Sequence, residues 1–118
     1  MVDRPITAYK ICTGNEWHQL QENGSIFGSP DDLRDGFIHL STADQVAQTA
    51  AKFFTGRTDL VLLAVNLSQL GDALRWETSG SGRTYPHLYA PLRLDDVVAS
   101  TPLKLGPDGR HILPSELG

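Results

Sequence analysis

The sequence predicts an α+β domain, and three observations carry that expectation. Along the chain run about six strand-like and two helix-like segments that neither alternate strictly nor run strand after strand, which favours α+β over a doubly wound sheet. Gly14, Gly24, Gly28 and Gly36 are too scattered for a GxGxxG turn, and no GxxxxGKS/T run occurs, so no parallel unit carries a phosphate loop. The 118 residues, 40% hydrophobic, fit one domain over 1–118, with a core over 7–105 and a short C-terminal tail.

Thr7-Ala8-Tyr9-Lys10-Ile11-Cys12 reads as a strand with Thr7, Tyr9 and Ile11 on one face. Gly14 stops it, and Asn15 is placed to N-cap a short helix that turns Trp17 and Leu20 inward and closes at Asn23-Gly24. Ser25 to Asp35, with Gly28, Pro30 and two adjacent Asp, reads as a surface loop that frames something. Gly36 to Ser41 is the second strand. Thr42 and Gln45 have capping-box spacing and open a helix whose inward stripe is Ala43, Val46, Ala47, Ala50, Phe53 and Phe54. Leu60 to Val65 is apolar on both faces, as a central strand covered on both sides requires. Ala73 to Glu77, His87 to Ala90 and Val97 to Leu105 supply further strands, with a Ser/Gly-rich mobile loop from Thr78 to Thr84. Pro107-Asp108-Gly109 returns the chain as a hairpin through His111-Ile112-Leu113.

Lys plus Arg is 10 against 14 Asp plus Glu, a net charge of −4. That argues against a broad positive footprint for extended nucleic acid or anionic lipid, while leaving room for a local cleft that takes one nucleotide. The single cysteine, Cys12, has no disulfide or CxxC partner and reads as a small core residue. Met1 to Pro5 shows no apolar leader, and the longest apolar run is far short of the roughly 20 residues that span a bilayer. The expectation is a cytoplasmic protein with no membrane partner and an oligomeric state that composition leaves open.

Strand alternation locates the polar side chains. Phe37, His39 and Ser41 oppose Ile38 and Leu40; Arg75 and Glu77 oppose Leu74 and Trp76; His87 and Tyr89 oppose Leu88 and Ala90. If these faces converge, they line a cleft with two imidazoles, a carboxylate, a phenol and a hydroxyl. Taken singly, an outward histidine is more often a solvated surface group, and Glu77 has Arg75 or Arg83 as surface partners. His18 and His111 read as surface groups and Trp76 as core. A metal on His39, Glu77 and His87 is an alternative, although no HxH, HxxxH or HExxH spacing supports it. No GxSxG elbow is present for a serine hydrolase.

Phe37-Ile38-His39-Leu40-Ser41-Thr42 followed by Gln45, then Trp76-Glu77, then Pro86-His87-Leu88-Tyr89, resembles the small bacterial proteins of domain-of-unknown-function family 952. Tyr9-Lys10-Ile11, Trp17 and Asp35-Gly36 fit the same pattern, which covers residues 7 to 100. Ala90 stands where that family usually has Gly. The family is uncharacterised, but its fold is similar to that of the ADP-ribosyltransferases: a split, mostly antiparallel sheet with two or so helices around a cleft for NAD. The resemblance implies catalytic roles for His39, Glu77 and His87, with Ser41, Thr42, Arg83 and Tyr89 binding substrate. It implies NAD or another small nucleotide-like ligand, and no metal. In such a cleft Glu77 would stabilise an oxocarbenium, an imidazole would hold ribose or act as base, Tyr89 would stack and Arg83 would contact pyrophosphate. The alternatives are a non-catalytic binding module for a nucleotide or small molecule, and the metal-dependent enzyme above.

Overall fold

A computed structural model describes residues 6–117. Met1 to Pro5, the segment behind the expectation of no apolar leader, and Gly118 lie outside the described residues. The architecture is α+β with antiparallel pairing throughout. Strand β1 (Thr7–Thr13) runs directly into helix α1 (Gly14–Asn23). Then come β2 (Ser25–Ile26), α2 (Pro30–Asp35), β3 (Ile38–His39) and α3 (Val46–Phe53). The second half holds β4 (Leu60–Asn66), β5 (Leu74–Thr78), β6 (Thr84–Leu88), β7 (Leu92–Arg93), β8 (Val97–Leu105) and β9 (His111–Ile112). No helix among the described residues is long and apolar enough to cross a membrane.

The main sheet has the order β1-β4-β8-β9, a second has β3-β6-β5, and β2 pairs with β7. β4 is the central strand that its apolar run predicts. Its Leu63 and Val65 join Ala8, Cys12 and Leu20 on one side, and its Leu60 and Leu62 join Ile11, Val46 and Ala50 on the other. Helices α1 and α3 therefore cover opposite faces of the main sheet. The tail packs too, with Leu113 and Leu117 against the α3 side.

Several local expectations are corrected. The cap of α1 is Thr13, not Asn15, and it forms a capping box with Glu16. A strand that feeds straight into a helix leaves its last residue extended, the conformation an N-cap needs. Gly24 closes α1 with φ +80, as expected. The stretch from Ser25 to Asp35 is not all loop. Ser29 and Asp32 form a reciprocal capping box with Pro30 at the first helical position, and α2 follows. Helix α3 starts at Val46 rather than at Thr42. Gln45 Oε1 accepts from Thr42 N as a box requires, but the Thr42 hydroxyl turns to Asp44, and Gln45 Nε2 donates to the Thr84 carbonyl at 2.8 Å. That diverted side chain ties the start of the helix to β6. The buried stripe of α3 narrows to Val46 and Ala50, with Ala47 and Phe53 exposed.

The expected strand from Gly36 to Ser41 pairs with β6 only at Ile38–His39. Leu40 N still reaches Pro86 O at 3.1 Å, but Ser41 crosses to β1, exchanging both backbone hydrogen bonds with Tyr9 at 2.7 and 2.8 Å. Ser41 thus joins the two larger sheets.

Candidate functional site

The register of the second sheet sets the site. His39 lies opposite His87, which lies opposite Arg75, while Glu77 lies opposite Tyr85. Ile38, Pro86 and Leu88 turn into the core, so alternation sends His39 and His87 to the other face. The three polar faces read from the sequence do converge. The His39 and His87 rings are 5.6 Å apart, centre to centre, and meet edge to face. Phe37 stacks on His87 at 4.1 Å and lies 4.6 Å from His39 and 5.2 Å from Tyr89. Arg75 sits 4.6 Å over the Tyr89 ring.

Glu77 Oε1 accepts from the Tyr89 hydroxyl at 2.6 Å and lies 2.8 Å from His87 Nδ1. The hydrogen bond from Tyr89, then that from His87, holds the Glu77 carboxyl below its ordinary value, and the same contact pushes the Tyr89 phenol up. A carboxylate on Nδ1 fixes the His87 ring and its tautomer, which leaves Nε2 as the nitrogen for chemistry.

A second polar cluster ties α2 to β1 and β3. Asp32, only 2% exposed, receives Lys10 Nζ at 2.7 Å, Ser29 N at 2.9 Å and His39 N at 3.1 Å, and its Oδ1 lies 2.6 Å from His39 Nδ1. Burial alone would raise this carboxyl. The hydrogen bond from His39 and the charge of Lys10 outweigh burial and bring it well below the usual carboxylate range. His39 Nε2 in turn lies 3.0 Å from Asp35 Oδ2, whose other oxygen takes Arg34 Nε at 3.1 Å. Both His39 nitrogens are therefore engaged.

Between the sheets, α2, α3 and the 79–83 turn lies a pocket of about 400 Å³. β1 supplies Tyr9 and Lys10; α2 supplies Asp32 and Asp35; His39 and Ser41 follow. Gln48, Thr49, Lys52 and Phe53 come from α3, Ser79, Ser81 and Arg83 from the turn, and Tyr85 and His87 from β6. Arg83 is held to Gln48. Among the described residues, neither Arg83 nor Lys52 has a carboxylate within ion-pair distance.

Of the residues singled out in the sequence, His39, Ser41, Arg83 and His87 line this pocket. Ser41 Oγ is within 3.0 Å of Thr49 Oγ1. Glu77 and Tyr89 stand behind His87 rather than on the pocket wall, and Thr42 belongs to the turn before α3. A metal on His39, Glu77 and His87 finds no support in the geometry: Glu77 and His87 bond each other, and no metal-holding group of His, Cys, Asp or Glu occurs among the described residues. Cys12 is a core thiol, its pKa pushed up to about 12 chiefly by burial. His18 pairs with Glu22 on the surface, and His111 Nε2 meets the Arg57 carbonyl. Sequence reasoning missed Lys10, Asp32 and Asp35. The signals were present: Lys10 shares the alternation phase of Ala8 and Cys12, and Ser29-Pro30-Asp31-Asp32 has capping-box spacing.

Fold and residues together define a small α+β domain whose two larger sheets meet beside a pocket lined by both charged and aromatic side chains. The chain belongs to the family described as Protein of unknown function (DUF952), whose model matches residues 11–100. It is similar to the crystal structure of protein CC0527 from Caulobacter crescentus, at 45% identity over 94% of this chain and 97% of that one, with a TM-score of 0.89. The solution structure of CC0527 is similar as well, at 45% identity over 90% and 91% of the two chains and a TM-score of 0.81. No curated protein matches the chain.

Proposed function

We propose that the pocket binds a nucleotide-class ligand, with NAD and ADP-ribose the first candidates, and that its chemistry is ribosyl transfer of the ADP-ribosyltransferase kind. One observation carries this reading. His87, backed by Glu77, lines the same pocket as Arg83 and Lys52, two cations without carboxylate partners among the described residues. Unneutralised cations beside the hydroxyls of Ser79, Ser81 and Thr49 suit phosphate oxygens. Tyr9, Tyr85 and Phe53 offer rings for a base to lie against. A volume of about 400 Å³ falls within the range of roughly 300–1,000 Å³ typical of small-molecule sites.

In this reading Glu77 does not face the ribose. It holds His87 by Nδ1, so that Nε2 takes a proton from the attacking group as the bond from ribose to its leaving group breaks. Tyr89 steadies Glu77 in turn. The alternative of a binding module without turnover draws on the engagement of both His39 nitrogens, which leaves one imidazole rather than two for proton transfer.

Differential scanning fluorimetry with NAD, ADP-ribose and a 2′-phosphorylated nucleotide tests the binding. A dose-dependent rise in Tm that is lost in an Arg83→Ala, Lys52→Ala double variant supports it, and no shift with any of the three at millimolar concentration overturns it. Release of nicotinamide from NAD that disappears in His87→Ala, while binding persists, supports the transferase. Binding without release in the parent protein favours the module.

A further inference from the structure

We propose that His39 donates a hydrogen bond from Nε2 to an anionic phosphate oxygen of the ligand, and that Asp35 occupies the place such an oxygen takes. The inference rests on the pocket binding a nucleotide-class ligand. It assigns to Asp35, which the sequence reading left in a loop, control over affinity at that site.

The two ends of the His39 ring are held unequally. Nδ1 faces Asp32 Oδ1 at 2.6 Å, and Asp32 is anchored by Lys10, by Ser29 N and by the backbone of His39 itself. The Asp32 side chain is 1% exposed and has nowhere to turn without abandoning a buried ammonium. Nε2 faces Asp35 Oδ2 at 3.0 Å, and the Asp35 side chain is 34% exposed at the end of α2. A carboxylate oxygen can only accept, so a hydrogen bond at the Asp35 contact takes Nε2 as its donor.

Asp35 is able to withdraw because its bonds are divided. Oδ2 meets His39, while Oδ1 keeps Arg34 Nε at 3.1 Å. A rotation that releases the histidine moves Oδ1 as well, and the exposed Arg34 side chain is free to follow it. A phosphate oxygen in place of Oδ2 restores an anion at Nε2, so the charge around the ring is unchanged. A neutral hydroxyl does not restore it, and so the position selects an anionic oxygen. His39 and Asp35 both border the pocket to which Arg83 and Lys52 contribute, so a diphosphate has cationic or N–H donors from α3, from the 79–83 turn and from β3.

Asp35 then competes with the ligand, and its removal strengthens binding. The test titrates ADP-ribose into the parent protein, Asp35→Ala, Asp35→Asn and Asp31→Asn while following the His39 ring nitrogens by NMR. Asp31 is the control: it lies on the same helix and carries the same charge, but it pairs with Arg34 and not with His39. Loss of a competing carboxylate tightens binding about fivefold or more in Asp35→Ala, against a change within about twofold in Asp31→Asn, and His39 Nε2 shifts on saturation in the parent. Asp35→Asn, nearly the same shape, follows Asp35→Ala. Equal effects at positions 31 and 35, or ADP-ribose bound with His39 unmoved, overturn this inference and leave nucleotide binding standing. Failure of all four proteins to bind at millimolar concentration overturns both.

Discussion

Asp32 gathers three backbone or ammonium donors and an imidazole around one buried carboxylate, and its energetics follow from that crowding. Asp32→Asn leaves the Lys10 ammonium, 6% exposed, without its counter-charge, and such a loss costs roughly 3–5 kcal/mol. Replacing both partners with apolar residues, as in Lys10→Met with Asp32→Leu, removes the stranded charge and recovers about half of that loss or more. A double variant no more stable than Asp32→Asn would contradict the account. The pH dependence has a definite sign. The folded state holds this carboxyl below its unfolded value near about 4, so the unfolded chain binds the extra proton. The contribution is complete above that value and disappears as pH falls through the lower, folded one. Urea midpoints therefore fall further between about pH 7 and pH 3 in the parent protein than in Asp32→Asn. On the same face of β1 as Lys10, Cys12 is 1% exposed with its thiol pKa pushed up to about 12, so a thiol reagent labels it only after unfolding.

Helix α2 has six residues, too few to form on propensity alone, and its ends do the work. Ser29 caps it, Pro30 presets its first turn, and Gly36 closes it at φ +84. Ser29→Ala removes one half of the capping box and costs about 1 kcal/mol, read as a lowered denaturant midpoint. Gly28 is constrained more tightly. It combines φ +105 with a Cβ position already filled by the Asp32 side chain, so Gly28→Ala must both strain the backbone and displace the carboxylate. Its loss of stability exceeds that of Ser29→Ala; a milder effect would mean that α2 is not seated through Asp32. These features also explain what the sequence made legible. β4 was readable because an apolar run on both faces has few other solutions, and the polar faces at His39, His87 and Glu77 were readable because alternation fixes which side chains share a side. α2 hid because turn residues masked its capping box. Asp32 and Lys10 hid because their pairing is made between segments 22 residues apart, which no local period reports. The split between pocket wall and backing, with Glu77 behind His87, follows from sheet register and not from composition.

At the scale of the whole molecule, the main sheet and the β3-β6-β5 sheet differ in how firmly they are built. β4 pairs along its length with β1 and with β8, is covered by a helix on each side, and keeps Leu63 and Val65 out of water entirely. β3 has two residues, and among the described residues its segment meets β1 by backbone hydrogen bonds at the Tyr9–Ser41 pair, reinforced by Gln45 on the Thr84 carbonyl and by Asp32 between Lys10 and His39. The pocket lies across that seam, so a ligand bound as proposed would draw on the less stable part of the structure. Local opening follows backbone hydrogen bonds that few apolar contacts protect. Hydrogen exchange therefore runs slowest at β4, near the rate of global unfolding, and faster across α2, β3 and the 79–83 turn. If the pocket takes ADP-ribose as proposed, the ligand slows exchange in those three segments and leaves the ratio of β4 exchange to global unfolding unchanged, because no β4 residue lines the pocket. Protection confined to β8 or β9 would put the ligand elsewhere. Uniform protection would mean that the two sheets open as a single unit, with the Ser41 crossing as strong as the ladder beside it.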